Sequence, residues 1–489
     1  MNRAAWPHRA IAVELSALAI VLAAFVAIVV GVLSIGSPLH WDEAVYAVRA
    51  RSWVDPDAVL SGWSYIRPPL LPMIAGLPVA AGGAEWQLRV IGLVSGGGLL
   101  VGSWWIGRML AGPIAGLLAA AVLAGSPTLL KESATLLTDV PAAALLLAGS
   151  ALVWWSLEER PVPGRGLALA AAVGALAFLM RYGSVVVLAP MAFVTVVLWW
   201  RMLWRHRSAS LTALAVVAVL AAGHVAWSMV QTGAPLGILI DAQNVVSGDP
   251  RDLPIRDYRG YIPFRLAGSI GATAMRLGVD SLAAAAFAAA LWPRWRRELR
   301  GALFLLLPAF AQIYLVTRGV GHAEPRFFIY STACLVIAGG VLVAVILQVL
   351  PGILRWPLVA LIGAALVLAM PTAIDDARRR TEDIARYYHR FEVAAAAIAA
   401  EAGPDCGIVG GGYPILAWYS ACETNVLRMP PGANLEAEER WAVLFGDPDQ
   451  IDLGAPISAA ITQAADGEPL IVADGPGRDP VGLAWRLHR

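Results

Sequence analysis

Lysine is almost missing from this sequence: Lys131 is the single one among 36 basic side chains, and the rest are Arg. Charge of either sign is scarce, with 36 Lys and Arg against 35 Asp and Glu, together 15% of 489 residues and a net of +1. Soluble domains carry about 25% charged residues. A balance this close to zero offers no field for a polyanion, which argues against a nucleic-acid partner. Cysteine is also rare: Cys334, Cys406 and Cys422 match neither a zinc-site spacing nor a disulfide-rich scaffold. No phosphate-cradling Gly loop occurs, since Gly410-Gly411-Gly412 lacks the remainder of a nucleotide fingerprint.

What fills the chain instead is apolar, 58% of all residues, where a soluble protein has about 45–50%. Eleven runs approach the ~20 residues that a spanning helix needs: 11–35, 89–109, 111–128, 140–157, 165–180, 184–203, 210–230, 278–292, 301–317, 327–349 and 355–372. The first lacks a small-residue cleavage site and reads as a retained signal anchor. A shorter, Pro-interrupted run at 68–81 reads as an interfacial or re-entrant piece. The expected fold is an α-helical polytopic membrane protein of about eleven spans.

Cytoplasmic loops carry the excess of Lys and Arg. Arg3 and Arg9 therefore put the N-terminus in the cytoplasm, and eleven spans keep Arg160/Arg165, Arg201/Arg205/Arg207, Arg294/Arg296/Arg297/Arg300 and Arg355 on that side. Residues 36–88, 129–139, 231–277, 318–326 and everything after 371 then share the extracytoplasmic face. The expected domains are 1–372, a membrane domain with a long first outer loop at 36–88, and 373–489, a small extracytoplasmic α/β domain. In the latter, 376–402 reads as a helix, and 406–410, 425–429, 441–445 and 470–473 read as strands of a mainly parallel sheet. Cys406 and Cys422, both exported, are expected to form a disulfide.

Chemistry-bearing residues gather at the outer ends of the runs. The segment His40-Trp41-Asp42-Glu43 holds an adjacent acid pair at the edge of the bilayer. Residues 42–53 show a helical period, which predicts a short amphipathic helix along the membrane surface with Asp42 as its N-cap. Asp42 is either a loop acid capping that helix or a general base drawing a proton from an acceptor hydroxyl, with Glu43 as its neighbour. Arg67 precedes Pro68-Pro69; it is either a snorkelling interfacial Arg or a fork for a phosphate oxyanion. Arg89 opens the second span as a membrane anchor or a functional cation. Asp139 follows Thr138 at the mouth of a span, after Lys131; a metal ligand, a substrate acceptor and a helix N-cap are all compatible with it. A divalent cation is compatible with Asp42 and Asp139, but nothing requires one. The 231–277 loop, rich in Asp, Arg and Tyr, is a candidate mobile cover over substrate.

The order of these motifs is more specific than any one of them. Asp-Glu after the first span, basic-Pro-Pro-Leu, an Arg opening the next span and Thr-Asp-Val-Pro at the second outer loop together resemble a GT-C glycosyltransferase. The resemblance is to the protein O-mannosyltransferase and aminoarabinose transferase group, over roughly 10–350 and most specifically over 40–142. It implies catalytic roles for Asp42 and Glu43. It also implies phosphate binding by Arg67, Lys131 and Arg326, and substrate contacts from Tyr46, Tyr65, Arg89 and Asp139. Arg326-Phe327 resembles a late Arg-Tyr motif. Val45 departs from the aminoarabinose pattern, which has Arg there.

The implied activity is inverting transfer of a hexose or pentose from a polyprenyl-phosphate donor to a glycan, lipid or protein acceptor, with no cofactor required. The alternative is a lipid or solute transporter or flippase. That reading calls for paired broken helices or ionisable residues in mid-span, whereas the acids here lie at outer junctions.

Overall fold

A computed structural model of the protein describes residues 8–55, 66–159, 164–246, 296–319, 324–403, 405–420, 422–425, 437, 439–445, 456–473 and 480–488. In chain order these residues form α1 (His8–Leu33), α2 (Trp41–Val54), α3 (Leu70–Ala80), α4 (Glu85–Ala111), α5 (Pro113–Ala124) and α6 (Pro127–Ser133). Next come α7 (Asp139–Trp154), α8 (Gly164–Met180), α9 (Val185–Arg205), α10 (Arg207–Thr232) and α11 (Gly237–Val246). Then follow α12 (Arg296–Gly319), α13 (Ile329–Val349) and α14 (Gly352–Glu401). The remainder is β1 (Cys406–Gly410), α15 (Tyr413–Ser420), β2 (Glu423–Asn425), β3 (Glu439–Phe445), α16 (Pro456–Ala464), β4 (Leu470–Ala473) and β5 (Pro480–Leu487). They divide between two compact units, Met1–Val32 with Ile91–Arg378, and Leu33–Val90 with Arg379–Arg489.

The first unit is helical. Among the described residues of the whole chain, seven helices are long and apolar enough to cross a membrane, or eight if α5 and α6, bent by 69°, count as one span. Ten of the eleven expected runs fall on helices; the eleventh, 278–292, lies outside the described residues, as does 247–277 of the expected cover loop. The 111–128 run breaks because Gly125 and Ser126 end α5, and the Ser126 hydroxyl caps α6. Large apolar side chains on the spans face outward, with Val230 80%, Leu368 78% and Val219 70% exposed. Water would penalise such a surface and lipid does not, so the chain is a multi-pass membrane protein. Two acids in these helices are neutralised locally. Glu14, buried, accepts from Trp104 Nε1 at 2.9 Å and forms an ion pair with Arg108 at 2.8 Å, and Glu158 accepts from Trp199 Nε1 at 2.7 Å and pairs with Arg300.

The second unit joins the segment Leu33–Val90 to the C-terminal residues. Its five-stranded sheet has the order β2-β1-β3-β5-β4. β1 runs parallel to β2 and β3, whereas β5 runs antiparallel to β3 and β4. The sheet is therefore mixed, not mainly parallel, because β5 returns the chain between β3 and β4. Alternation along the strands sends Ile408, Trp441 and Val443 to the face covered by Ala394, Ala395 and Ile398 of α14. Val409, Ala442 and Leu483 go to the face covered by Ile461 of α16. Cys406 and Cys422 form a disulfide across the start of β1. Gly412 turns the chain from β1 into α15 at φ +70°, and the Phe391 ring lies 2.2 Å from where its Cβ would be. The three glycines thus serve a tight packed turn.

Candidate functional site

In the second unit α2 carries the acid pair, and it begins one residue earlier than the sequence indicates. His40, not Asp42, is the N-cap: its Nδ1 accepts from Asp42 N at 3.2 Å, while Glu43 Oε2 accepts from His40 N at 2.8 Å. This is a capping box with His in the Ser/Thr position. Nor does α2 lie with one face in solvent, since residues 43–50 are all buried. The expected solvent-facing side is missing because this helix packs against both α3 and α15 within the unit. Arg51 fastens it by donating to the carbonyls of Ala417 (3.3 Å) and Trp418 (2.9 Å) and stacking 4.2 Å over the Trp418 ring. Burial lowers the Arg51 pKa, against the opposing pull of Asp55.

The two adjacent acids occupy very different surroundings. Glu43 is 1% exposed and takes a two-pronged ion pair from Arg89, Nε to Oε1 at 2.9 Å and an Nη to Oε2 at 3.0 Å. Arg89 also donates to the carbonyls of Ser37 (2.8 Å) and Pro38 (3.0 Å), so it ties the loop before α2 to the start of α4. Asp42 keeps 20% of its side chain exposed and meets Arg67 at 3.0 Å, itself 24% exposed. Arg67 stands 5.8 Å from the centre of the buried Tyr46 ring. Tyr413 packs edge-on against Trp41 at 4.9 Å; burial raises its pKa to about 12, against the positive charge of Arg67. Tyr65 lies outside the described residues.

The first unit holds the other candidates. Asp139 is the first residue of α7, after the N-cap Thr138, and pairs with Arg181. Both line a cavity with Arg326, Gln312, Phe327 and Tyr330. Arg326 is 8% exposed and pairs with Glu324 at 2.8 Å; Gln312 donates to the Phe327 carbonyl at 2.8 Å. Lys131 pairs with Glu132 at 2.9 Å and is not part of the cavity wall. The structure therefore gathers Asp42, Glu43, Tyr46, Arg67 and Arg89 in one unit, and Asp139 with Arg326 in the other. Sequence reasoning missed Arg181, which lies between the apolar runs 165–180 and 184–203. The signal was there: parity puts that short junction on the same outer face as Asp139. Among the described residues no three His, Cys, Asp or Glu converge as metal ligands would.

The sequence profile of the Dolichyl-phosphate-mannose-protein mannosyltransferase family matches residues 66–227. No curated protein matches by sequence. Among solved structures, ArnT from Cupriavidus metallidurans bound to undecaprenyl phosphate is 14% identical with a TM-score of 0.66, covering 94% of this chain and 97% of its own. The Archaeoglobus fulgidus oligosaccharyltransferase in its apo form is 12% identical with a TM-score of 0.55, covering 88% of this chain and 69% of its own. Archaeal oligosaccharyltransferase AglB from Archaeoglobus fulgidus, in complex with an inhibitory peptide and a dolichol-phosphate, is 14% identical with a TM-score of 0.54 over the same shares. The fold is thus the GT-C fold of polytopic membrane glycosyltransferases. The resemblance read from the motifs at 40–142 agrees with it.

Proposed function

We propose that this chain is a glycosyltransferase that moves a monosaccharide from a polyprenyl-phosphate donor to an acceptor hydroxyl on the extracytoplasmic face, with inversion. The observation that carries the reading is the contrast between Asp42 and Glu43 on a fold shared with such enzymes. Glu43 has its oxygens spent on Arg89 and on the His40 amide, so it is a positioning residue. Asp42 is partly open to solvent at the first turn of α2, where the helix dipole favours the carboxylate.

In the reaction Asp42 takes the proton of the acceptor hydroxyl as its oxygen attacks the anomeric carbon, and the bond from that carbon to the phosphate oxygen breaks. Arg67 leaves Asp42 for the phosphate, which frees the base and neutralises the leaving group in one movement. Tyr46 gives the guanidinium a platform to swing on. Arg326, beside Asp139 and Arg181, is a second phosphate-binding candidate in the helical unit. Lys131, paired with Glu132, is a third. The Arg distribution supports a cytoplasmic N-terminus and an exported C-terminal region in the cytoplasmic membrane.

The test is release of polyprenyl phosphate from a panel of radiolabelled polyprenyl-phosphate monosaccharides, with wild type beside Asp42→Asn. Release by the wild type and its loss in the variant supports both reaction class and base. Equal release by both removes Asp42 from its role. No release from any donor by folded protein overturns the transfer reading.

A further inference from the structure

The second unit contains a cleft of about 320 Å³ that the proposed chemistry does not use. Trp41, Tyr387, Tyr388, Arg390 and Phe445 line it, and the Gly411–Gly412 turn forms its base. Arg390 is its unusual feature. The guanidinium lies 4.1 Å from the ring centre of Tyr387, 4.9 Å from Phe391 and 5.7 Å from Phe445. Its buried Nε meets no acceptor among the described residues. Of the acids on the same helix, Glu392 pairs with His389 at 3.1 Å and Asp383 with Arg386.

An Arg has five donors and no acceptor, and aromatic faces satisfy its charge only in part. What completes such a cation is an oxyanion that fits the guanidinium fork. The rest of the wall specifies the body attached to that oxyanion. Tyr387 is 53% exposed, and Trp41 and Tyr388 are partly exposed, so flat amphipathic rings face the opening. Such rings take the C–H face of a pyranose while its hydroxyls stay wet. The volume is at the low end of the roughly 300–1,000 Å³ typical of ligand sites, which suits one or two sugar units. The position is also informative. Trp41 precedes Asp42 directly, and Tyr388 packs 5.0 Å from the His40 cap.

We propose that this cleft binds an anionic sugar unit, a saccharide carrying a carboxylate or a phosphate, with its oxyanion on Arg390 and its ring face on Tyr387 and Trp41. As a subsite for the acceptor the cleft rests on the function proposed above; as a binding site it does not.

The experiment is saturation-transfer NMR on the full-length protein in detergent micelles, without donor. The probes are methyl β-glucuronide, glucose 6-phosphate and methyl β-glucoside. At least one anion gives transfer, and the better of the two names the oxyanion; the neutral glucoside gives less than about a tenth of that signal. Arg390→Gln weakens the anion at least tenfold, Arg390→Lys weakens it less, and Tyr387→Ala weakens it with the charge intact. If Arg390→Gln does not fold, the exposed Tyr387 substitution decides alone. No transfer from either anion, equal transfer from the neutral sugar, or wild-type binding by folded Arg390→Gln or Tyr387→Ala overturns the proposal. Because turnover is not read, a protein that binds anionic sugars and transfers none would lose its proposed function and keep this site.

Discussion

Replacing Arg89 by Ala should damage the second unit more than any change at Asp42. The substitution leaves the Glu43 carboxylate at 1% exposure with no counter-charge and strips the carbonyls of Ser37 and Pro38 of their donors. Breaking one partner of a buried ion pair costs about 3–5 kcal/mol. For a unit of this size each kcal/mol moves the midpoint by about 2–4 °C, so Tm should fall by roughly 6–20 °C. The double variant Glu43→Gln/Arg89→Met removes both charges and should recover part of that loss, since no uncompensated ion remains. Asp42→Ala, at a partly solvated pair, should change stability by only about 0–1 kcal/mol. Thermal unfolding in detergent followed by limited proteolysis of the non-membrane region reads all three. If Arg89→Ala unfolds within 2 °C of wild type, or the double variant loses at least as much as the single, the buried pair is not what holds the loop.

Asp42→Asn should reduce transfer by at least about 10²-fold with little change in donor binding, as removal of a general base does; steady-state kcat and KM check it. Cys406→Ser should destabilise the second unit by about 3 kcal/mol, because the bridge closes a loop of sixteen positions; native thiol alkylation and Tm with and without reductant read this. Gly412→Ala combines φ +70° with a clash against Phe391 and should cost at least about 1–3 kcal/mol by the same thermal assay. The folded pKa of Tyr413 is raised to about 12, so the unfolded chain ionises first; stability should decline as pH rises from about 10 toward 12. Tyr413→Phe should make that alkaline decline shallower, and an unchanged slope in pH-jump unfolding would exclude Tyr413 as its source.

How much of this was legible depended on which force wrote each part. The spans follow from the cost of apolar surface in water, which composition reports directly, and β1 and β4 were bounded correctly by their apolar runs. The apolar period of α2 is real and points to an amphipathic helix, yet residues on every side of it are buried by elements distant in sequence. No local pattern announces that. The His40 cap was missed because His rarely replaces Ser or Asp there, and β5 because Pro480, Gly482 and Arg486 interrupt its apolar pattern. At the site, Asp42, Glu43, Arg67 and Arg89 were visible as ionisable groups at membrane edges. Their division into one open pair and one sealed pair was not, since it depends on which carboxylate faces the packed interior.

The second unit closes only when chain segments made far apart in time meet. Its first portion ends at Val90 and its second begins at Arg379, roughly 290 residues later. At about 5–20 residues per second, the ribosome needs ~15–60 s to bridge that interval. Throughout it, the segment bearing Asp42 and Glu43 lacks α15, the helix from the second portion that packs on α2. A nascent chain halted within α14 would leave open the side of α2 that α15 covers, a surface suited to quality control by chaperones and proteases. The ion pairs of Asp42 and Glu43 lie within the first portion, but the helix that carries them gains the cover of α15 only after the helical unit has been made, which ties packing behind the candidate acid to a late segment.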